Sequence, residues 1–224
     1  MATFKLHIAK VRGCPAPVEL DRAIEEYGLP ENEEFGVLDH SLAGPAVHAT
    51  IVHRTHQTVQ RLDRKAKDLT PTPVEKAAAY PFAVNPAREV MEIYAGPPGA
   101  IEHVGVFFSS CLALPTLVDP IELDVLSTVQ KLQKNTERFQ LRNARVSEYA
   151  HNSFMSGPYT PKFLDNQHGL DFLEEYADYV TAAGVRFAGP AGRILVHLTT
   201  KACFSFSCNE EDHPTALSIL RKLI

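Results

Sequence analysis

The feature that most constrains the fold is the run from Val47 to Leu62, which is dense in β-branched residues. Such side chains favour extended backbone because they pack well on a pleated surface. Polar and apolar residues alternate here and along residues 4–8 and 88–94, a period of two that predicts strands with one buried face. Antiparallel strands tolerate one solvated face. We therefore expect an α+β fold, a mainly antiparallel sheet with helices packed on one face.

Helices are predicted where apolar residues recur every three or four positions. Residues 17–28 begin with proline and end with glycine, and Leu20 and Ile24 fall on one face. Further helices are predicted near residues 74–80, 101–112, 120–135, 168–184 and 214–224. With 224 residues, 45% of them hydrophobic, the chain can bury a substantial core, and we expect a single domain over residues 1–224. The alternative is two lobes, residues 1–118 and 119–224.

Cysteine usage and hydropathy narrow the class of protein. The four cysteines lack the close pairs that structural zinc prefers, and they are too few for a disulfide scaffold. The longest apolar run, residues 104–118, is broken by serine and proline, and no leader pattern precedes it. We therefore expect a cytoplasmic protein with no cofactor, no bound metal and no membrane partner.

Two similar segments, AGPPGA at 95–100 and AGPAGR at 188–193, resemble glycine-rich phosphate loops. A phosphate loop works through free backbone N–H groups, and the prolines at 97 and 98 remove two of them. We therefore interpret both segments as turns. The first is expected to join a strand to a helix, and the second to close a hairpin.

Basic residues are concentrated in two segments, although the formal net charge is −5. Residues 54–67 include Arg54, and residues 131–145 carry five cations at intervals of three or four. A helix that continued through residues 131–145 would present these cations as one stripe, a pattern typical of phosphate contacts. The cations of this second segment are Lys131, Lys134, Arg138, Arg142 and Arg145.

Residues 143–167 show no sustained period and are rich in aromatic side chains, proline and glycine. A long connection without regular structure is often functional. Aromatic side chains beside cations can stack on bases or anchor a protein partner. The candidate binding residues of this aromatic loop are Tyr149, His151 and Tyr159.

These features favour a non-enzymatic binding subunit of a larger intracellular assembly. We expect it to contact a protein partner through the aromatic loop and the basic segments, with nucleic acid as a further expected ligand. Self-association into a homo-oligomer stays open. No complete catalytic set accompanies these segments, which favours binding over catalysis.

An alternative function comes from two His-x-Thr motifs, His48 with Thr50 and His197 with Thr199, each on a predicted strand. The pair resembles the motifs of the two-histidine phosphoesterase superfamily. The resemblance implies that one imidazole acts as a general base and the other as a general acid on a phosphodiester, while the threonines hold the phosphate. On strand alternation, His48, Thr50 and Arg54 share one face and His53 points to the other.

Overall fold

The computed structural model of the protein describes residues 2–63, 67–94, 96, 99–152 and 155–223, without the side chains at 63, 68, 151, 152 and 155. Within this part of the chain the fold is mixed α/β and mainly sheet, and every strand pair of defined register is antiparallel. This confirms the predicted antiparallel sheet. The strands are β1 (Ala2–Arg12), β2 (Phe35–Ala43), β3 (Ala46–Asp63), β4 (Asp68–Asn85), β5 (Val90–Ile93), β6 (Leu117–Pro120), β7 (Gln140–Asn152), β8 (Met155–Tyr159), β9 (Val180–Ala188), β10 (Arg193–Thr199) and β11 (Cys203–Cys208). The helices are α1 (Pro17–Tyr27), α2 (Ala100–Val106), α3 (Val125–Asn135), α4 (Asn166–Glu175) and α5 (His213–Arg221).

The chain divides into two compact units. We call Ile8–Asp119 the N-terminal unit, and Met1–His7 together with Pro120–Ile224 the C-terminal unit. Strand β1 therefore contributes its first part to the C-terminal unit and its second part to the N-terminal unit. The expected single domain stays a prediction.

The N-terminal unit is built on strands in the order β2-β3-β4-β5-β1, with β6 also pairing with β1. Strand β3 alternates as predicted: Val47, Ala49 and Ile51 are buried, whereas His48 and Thr50 are half-buried. The buried set packs with apolar residues of α1 and α2 to form the core of this unit.

The C-terminal unit has the strand order β1-β11-β10-β9-β7-β8. Along β10, Ile194, Val196 and Leu198 are buried and the residues between them are exposed, so this part of the sheet has one core face and one solvated face. Helix α3 packs on β9, and α4 packs on β7. The carboxylates of Asp124 and Asp165 accept hydrogen bonds from backbone N–H groups at the starts of α3 and α4, as expected of N-caps.

The helix predicted near residues 74–80 is wrong, because these residues lie in β4. The helix predicted near residues 168–184 is confirmed in its first part by α4, but residues 180–184 lie in β9. The alanine-rich segment 74–80 has good helix propensity, but it pairs residue by residue with the β-branched strand β3. Residues 182–184 pair with β10 on one side and β7 on the other. Tertiary pairing therefore overrides local preference in both segments.

The second glycine-rich segment closes the β9–β10 hairpin, as predicted, since Ala188 pairs with Arg193. The first lies between β5 and α2, although residues 95, 97 and 98 fall outside the described chain. No helix among the described residues has the length and apolar character needed to cross a bilayer.

Candidate functional site

A cleft of about 540 Å³ opens on the solvated sheet face of the C-terminal unit. Its walls carry three basic side chains, Arg145 from β7, His197 from β10 and Lys201 from the turn that follows. Hydroxyl groups fill the spaces between these cations, and alanine and proline complete the lining. The remaining lining residues are Ser147, Pro158, Thr181, Ala182, Thr199 and Thr200.

The register of three strands explains why a depression forms there. Arg145 on β7 and Thr199 on β10 both pair with Ala182 on β9, so they stand on either side of it, each about 4.8 Å away across the sheet. Because the alanine side chain is short, the longer side chains beside it rise above a shallow floor. The cleft is therefore a product of long-range pairing.

A glycine continues this floor along β9. Gly184 pairs with Asn143 on one side and with His197 on the other. A Cβ atom at position 184 would come within 2.7 Å of Asn143 Oδ1, which means that the Asn143 amide lies against the bare backbone of β9. Its pairing partner on β9 therefore presents no side chain to His197.

The charges of the cleft are not balanced by acids. No aspartate or glutamate is among the described residues that line it. Among the described residues, neither Arg145 nor Lys201 forms an ion pair. A concave site lined by one sign of charge concentrates the opposite charge, so the cleft is suited to an anion.

The histidine of the cleft has an altered protonation equilibrium. Burial lowers the pKa of His197, and the positive charge of Arg145 lowers it further. Both effects disfavour the imidazolium form. At neutral pH the imidazole is therefore mainly uncharged, and an anion that entered beside it would favour proton uptake.

Three hydroxyl groups at the cleft donate to backbone carbonyls. Ser147 Oγ donates to the carbonyl of Tyr179 at 3.3 Å, and Thr181 Oγ1 donates to the carbonyl of Arg145 at 3.2 Å. Thr199 Oγ1 donates to the carbonyl of Cys203 at 3.5 Å. Because a hydroxyl carries one proton and two lone pairs, these groups present lone pairs to the cleft in this arrangement.

The predicted cationic stripe over residues 131–145 is wrong. Helix α3 ends at Asn135, Arg138 adopts a left-handed backbone with φ of 50°, and the following residues pair with β9. This turn separates Lys131 and Lys134 on the helix from Arg142 and Arg145 on strand β7. Lys131 Nζ donates to the carbonyl of Leu223 at 3.4 Å. Of the five cations, only Arg145 lines the cleft.

The predicted aromatic loop is also wrong, because most of it forms the β7–β8 hairpin. The rings of Tyr149 and Tyr159 lie 4.6 Å apart, and Tyr149 also contacts Phe172 and Tyr176 from the α4 side. Tyr159 pairs with buried Val146 and so shares its face, opposite to that of Arg145. These aromatics contact one another and α4. The side chain of His151 lies outside the described residues.

The two His-x-Thr motifs fall in different units, His48 with Thr50 on β3 and His197 with Thr199 on β10. Their pairing stays a prediction. Arg54, another predicted binding residue, donates through Nη1 to the carbonyl of Pro30 at 2.6 Å and to that of Glu33 at 3.1 Å. Its guanidinium therefore holds the segment between α1 and β2, and we leave it out of the cleft site.

A second cluster of ionisable groups, which the sequence analysis did not identify, lies in the N-terminal unit. His53 is 8% exposed, and its Nε2 lies 2.5 Å from Glu34 Oε1. Its ring stacks on Phe35 at 4.7 Å and lies 4.2 Å from the ring of His103. Burial lowers the pKa of His103, and His53 lowers it further. Within the described part of the chain, no three histidine, cysteine or acidic residues are arranged to hold a metal ion.

No protein-family model matches the chain, and no curated protein matches it.

Proposed function

We propose that the protein is a non-enzymatic binding subunit whose cleft takes up a phosphate group of a nucleic acid. One observation carries the proposal: Arg145, His197 and Lys201 converge on a small-residue floor that no lining acid neutralises. Arginine binds phosphate through two parallel N–H donors, and lysine contributes a point charge. A neutral imidazole still offers one N–H donor, and it gains a charge when the phosphate draws a proton to it.

The proposal assigns different roles to the two faces of the sheet in the C-terminal unit. We take the helices to cover one face and the ligand to occupy the other. The packing of α3 on β9 and of α4 on β7 supports this, as does the alternation of buried and exposed residues along β10. The ligand face is then a fixed strand surface, which holds side chains more rigidly than a loop does.

We also propose a cellular location and a second kind of partner for the protein. We place the protein in the cytoplasm, since its four cysteines are all free thiols, as is usual in a reducing compartment. We further propose a protein partner in a larger assembly. Leu164, which is 97% exposed beside the aromatic cluster of β8 and α4, supports a contact there.

A phosphodiesterase of the two-histidine type is the second candidate. The observation that favours it is that His197 and Thr199 both line the cleft, where that chemistry would need them. It also requires His48 as the partner imidazole. Replacement of His48 by alanine should then abolish hydrolysis of a cyclic phosphodiester, and hydrolysis that survives the change would eliminate this candidate.

The binding proposal is tested by fluorescence anisotropy with a labelled single-stranded oligonucleotide at salt concentrations between about 50 and 200 mM. Arg145→Glu should weaken binding by about tenfold or more and reduce the salt slope by about one. The matched control is Arg138→Glu, an exposed arginine in the turn after α3. If both variants lose the same affinity, general charge and not the cleft causes binding, and the proposal fails.

A further inference from the structure

We infer that the ligand of the cleft is a ribose phosphate, and that the protein therefore prefers RNA to DNA. This inference rests on the proposed function and specifies its substrate class. It comes from the hydroxyls that present lone pairs beside the cations: Ser147, Thr181 and Thr199.

The three hydroxyls set a requirement on the ligand. Their protons are held by the carbonyls of Tyr179, Arg145 and Cys203, so the ligand meets oxygen lone pairs. A phosphate oxygen is itself an acceptor and gains nothing from such a group. A ligand that presented only phosphate oxygens would therefore leave this part of the cleft unmatched. The matching ligand carries a hydroxyl donor close to its phosphate.

The strand register places a cationic donor and a hydroxyl acceptor on opposite sides of the same floor residue. Arg145 and Thr199 stand on opposite sides of Ala182, so a phosphate held by the guanidinium has the threonine oxygen across the floor. A volume of about 540 Å³ lies within the range of small-ligand sites. The ribose 2′-hydroxyl is the group that distinguishes RNA from DNA, and it can donate to such an acceptor.

Further cations on the same face favour a polyanion over a single phosphorylated side chain. Lys5 pairs with Ser205, which pairs with His197, so all three share a row across the sheet. Arg186 lies two residues beyond Gly184 on β9 and pairs with Leu195. Since residues of one face repeat about every 6.7 Å along a strand, these cations extend the positive surface beyond the cleft. Repeated phosphates would match this extension, and a single phosphoserine would not.

The test compares three single strands of one sequence by anisotropy with the full chain: RNA, DNA and 2′-O-methyl RNA. RNA should bind about fivefold more tightly than DNA, the size expected of one additional hydrogen bond. The 2′-O-methyl strand should bind like DNA, because methylation removes the donor proton. Ser147→Ala and Thr181→Val should each reduce the advantage of RNA over DNA, and an equal loss of affinity for both strands in these variants would contradict the inference. Ser109→Ala, an exposed serine of the N-terminal unit, is the control and should leave the advantage of RNA intact.

The outcomes separate this inference from the proposed function. Equal binding of RNA and DNA that is lost in Arg145→Glu overturns the ribose inference and leaves the phosphate site standing. Binding that is unaffected by Arg145→Glu overturns both. Competition by a ribonucleoside 5′-phosphate but not by its 2′-deoxy form supports the inference with a free nucleotide as the source. A phosphoserine peptide that binds more tightly than RNA overturns it.

Discussion

Arg145 acts on His197 across strand β9: after burial, its positive charge is the second cause of the lowered pKa of the imidazole. The two side chains belong to strands β7 and β10, and only the small residues Ala182 and Gly184 stand between them on this face. The same electrostatic coupling links ligand binding to protonation, since a bound anion offsets the guanidinium charge.

The first prediction concerns the pH dependence of binding. The pKa of His197 is lowered from its ordinary value of 6.5, and a bound phosphate should raise it again. Affinity for a phosphate ligand should therefore increase as the pH falls from the pKa of His197 in the complex towards its pKa in the free protein, which lies below 6.5, and it should be nearly constant outside this range. His197→Gln should remove this increase. Kd values measured across this range in both proteins test the prediction, and a similar increase in the variant would contradict it.

The second prediction concerns the stability of the N-terminal unit. The folded-state pKa of His103 lies below 6.5, so the unfolded chain takes up a proton first as the pH falls. The contribution of uncharged His103 to the free energy of unfolding is fully present above pH 6.5, and it decreases as the pH drops toward the folded-state pKa of His103. The groups that act on His103 are His53, Tyr80, Glu34 and Glu102, of which the two acids oppose the shift.

Urea unfolding at several pH values measures this effect. The midpoint should fall between neutral and mildly acidic pH, and His103→Gln should make the decrease smaller. His56→Gln, which changes an exposed histidine on β3, is the control and should leave the pH dependence intact. If the His103 variant shows the full decrease, a different group is responsible.

The third prediction concerns the β9–β10 hairpin. Asp212 is fully buried, and its Oδ1 accepts a hydrogen bond from the backbone N–H of Ala191 at 2.8 Å. Asp212→Ala removes this hydrogen bond, whose acceptor is a fully buried carboxyl group, and should cost about 1–3 kcal/mol of unfolding free energy. Glu210→Ala removes a nearby exposed acid and should change stability by less than about 0.5 kcal/mol. Equal effects of the two substitutions in chemical denaturation would show that the hydrogen bond is unimportant.

The fourth prediction tests the floor of the cleft. Gly184→Ala places a methyl group 2.7 Å from Asn143 Oδ1, so the amide has to move. The expected cost is about 1 kcal/mol, because only a side-chain end is displaced. In an Asn143→Ala background the same change should cost little. A double-mutant cycle measures this coupling, and additive effects would contradict the contact.

Local patterns predicted some elements of this fold well. The alternation of β3, the helix from Pro17, and the β9–β10 turn follow from residue periodicity and from the chemistry of glycine and proline. His53 was also expected to point away from His48, and it lies on the buried face. Each of these features is determined by residues that lie close together in the sequence.

The cleft could not be predicted in this way, because it depends on pairing between distant segments. The sequence patterns placed Arg145 on one helix and Ala182 on another. They therefore did not indicate that the two residues pair on adjacent strands. His197 was correctly placed on a strand, and it lines the cleft. Its neighbours, however, are set by the register of β7, β9 and β10, which no local pattern specifies.

The most direct test of the central claim is an NMR titration of the histidine side chains with and without single-stranded RNA. The account predicts that RNA shifts the imidazole resonances of His197 saturably and raises the pKa of this residue, whereas the exposed His56 shows neither change. Arg145→Ala should raise the pKa of His197 in the free protein and weaken the response to RNA. If RNA binds while the resonances and pKa of His197 stay unchanged, the cleft is not the phosphate site.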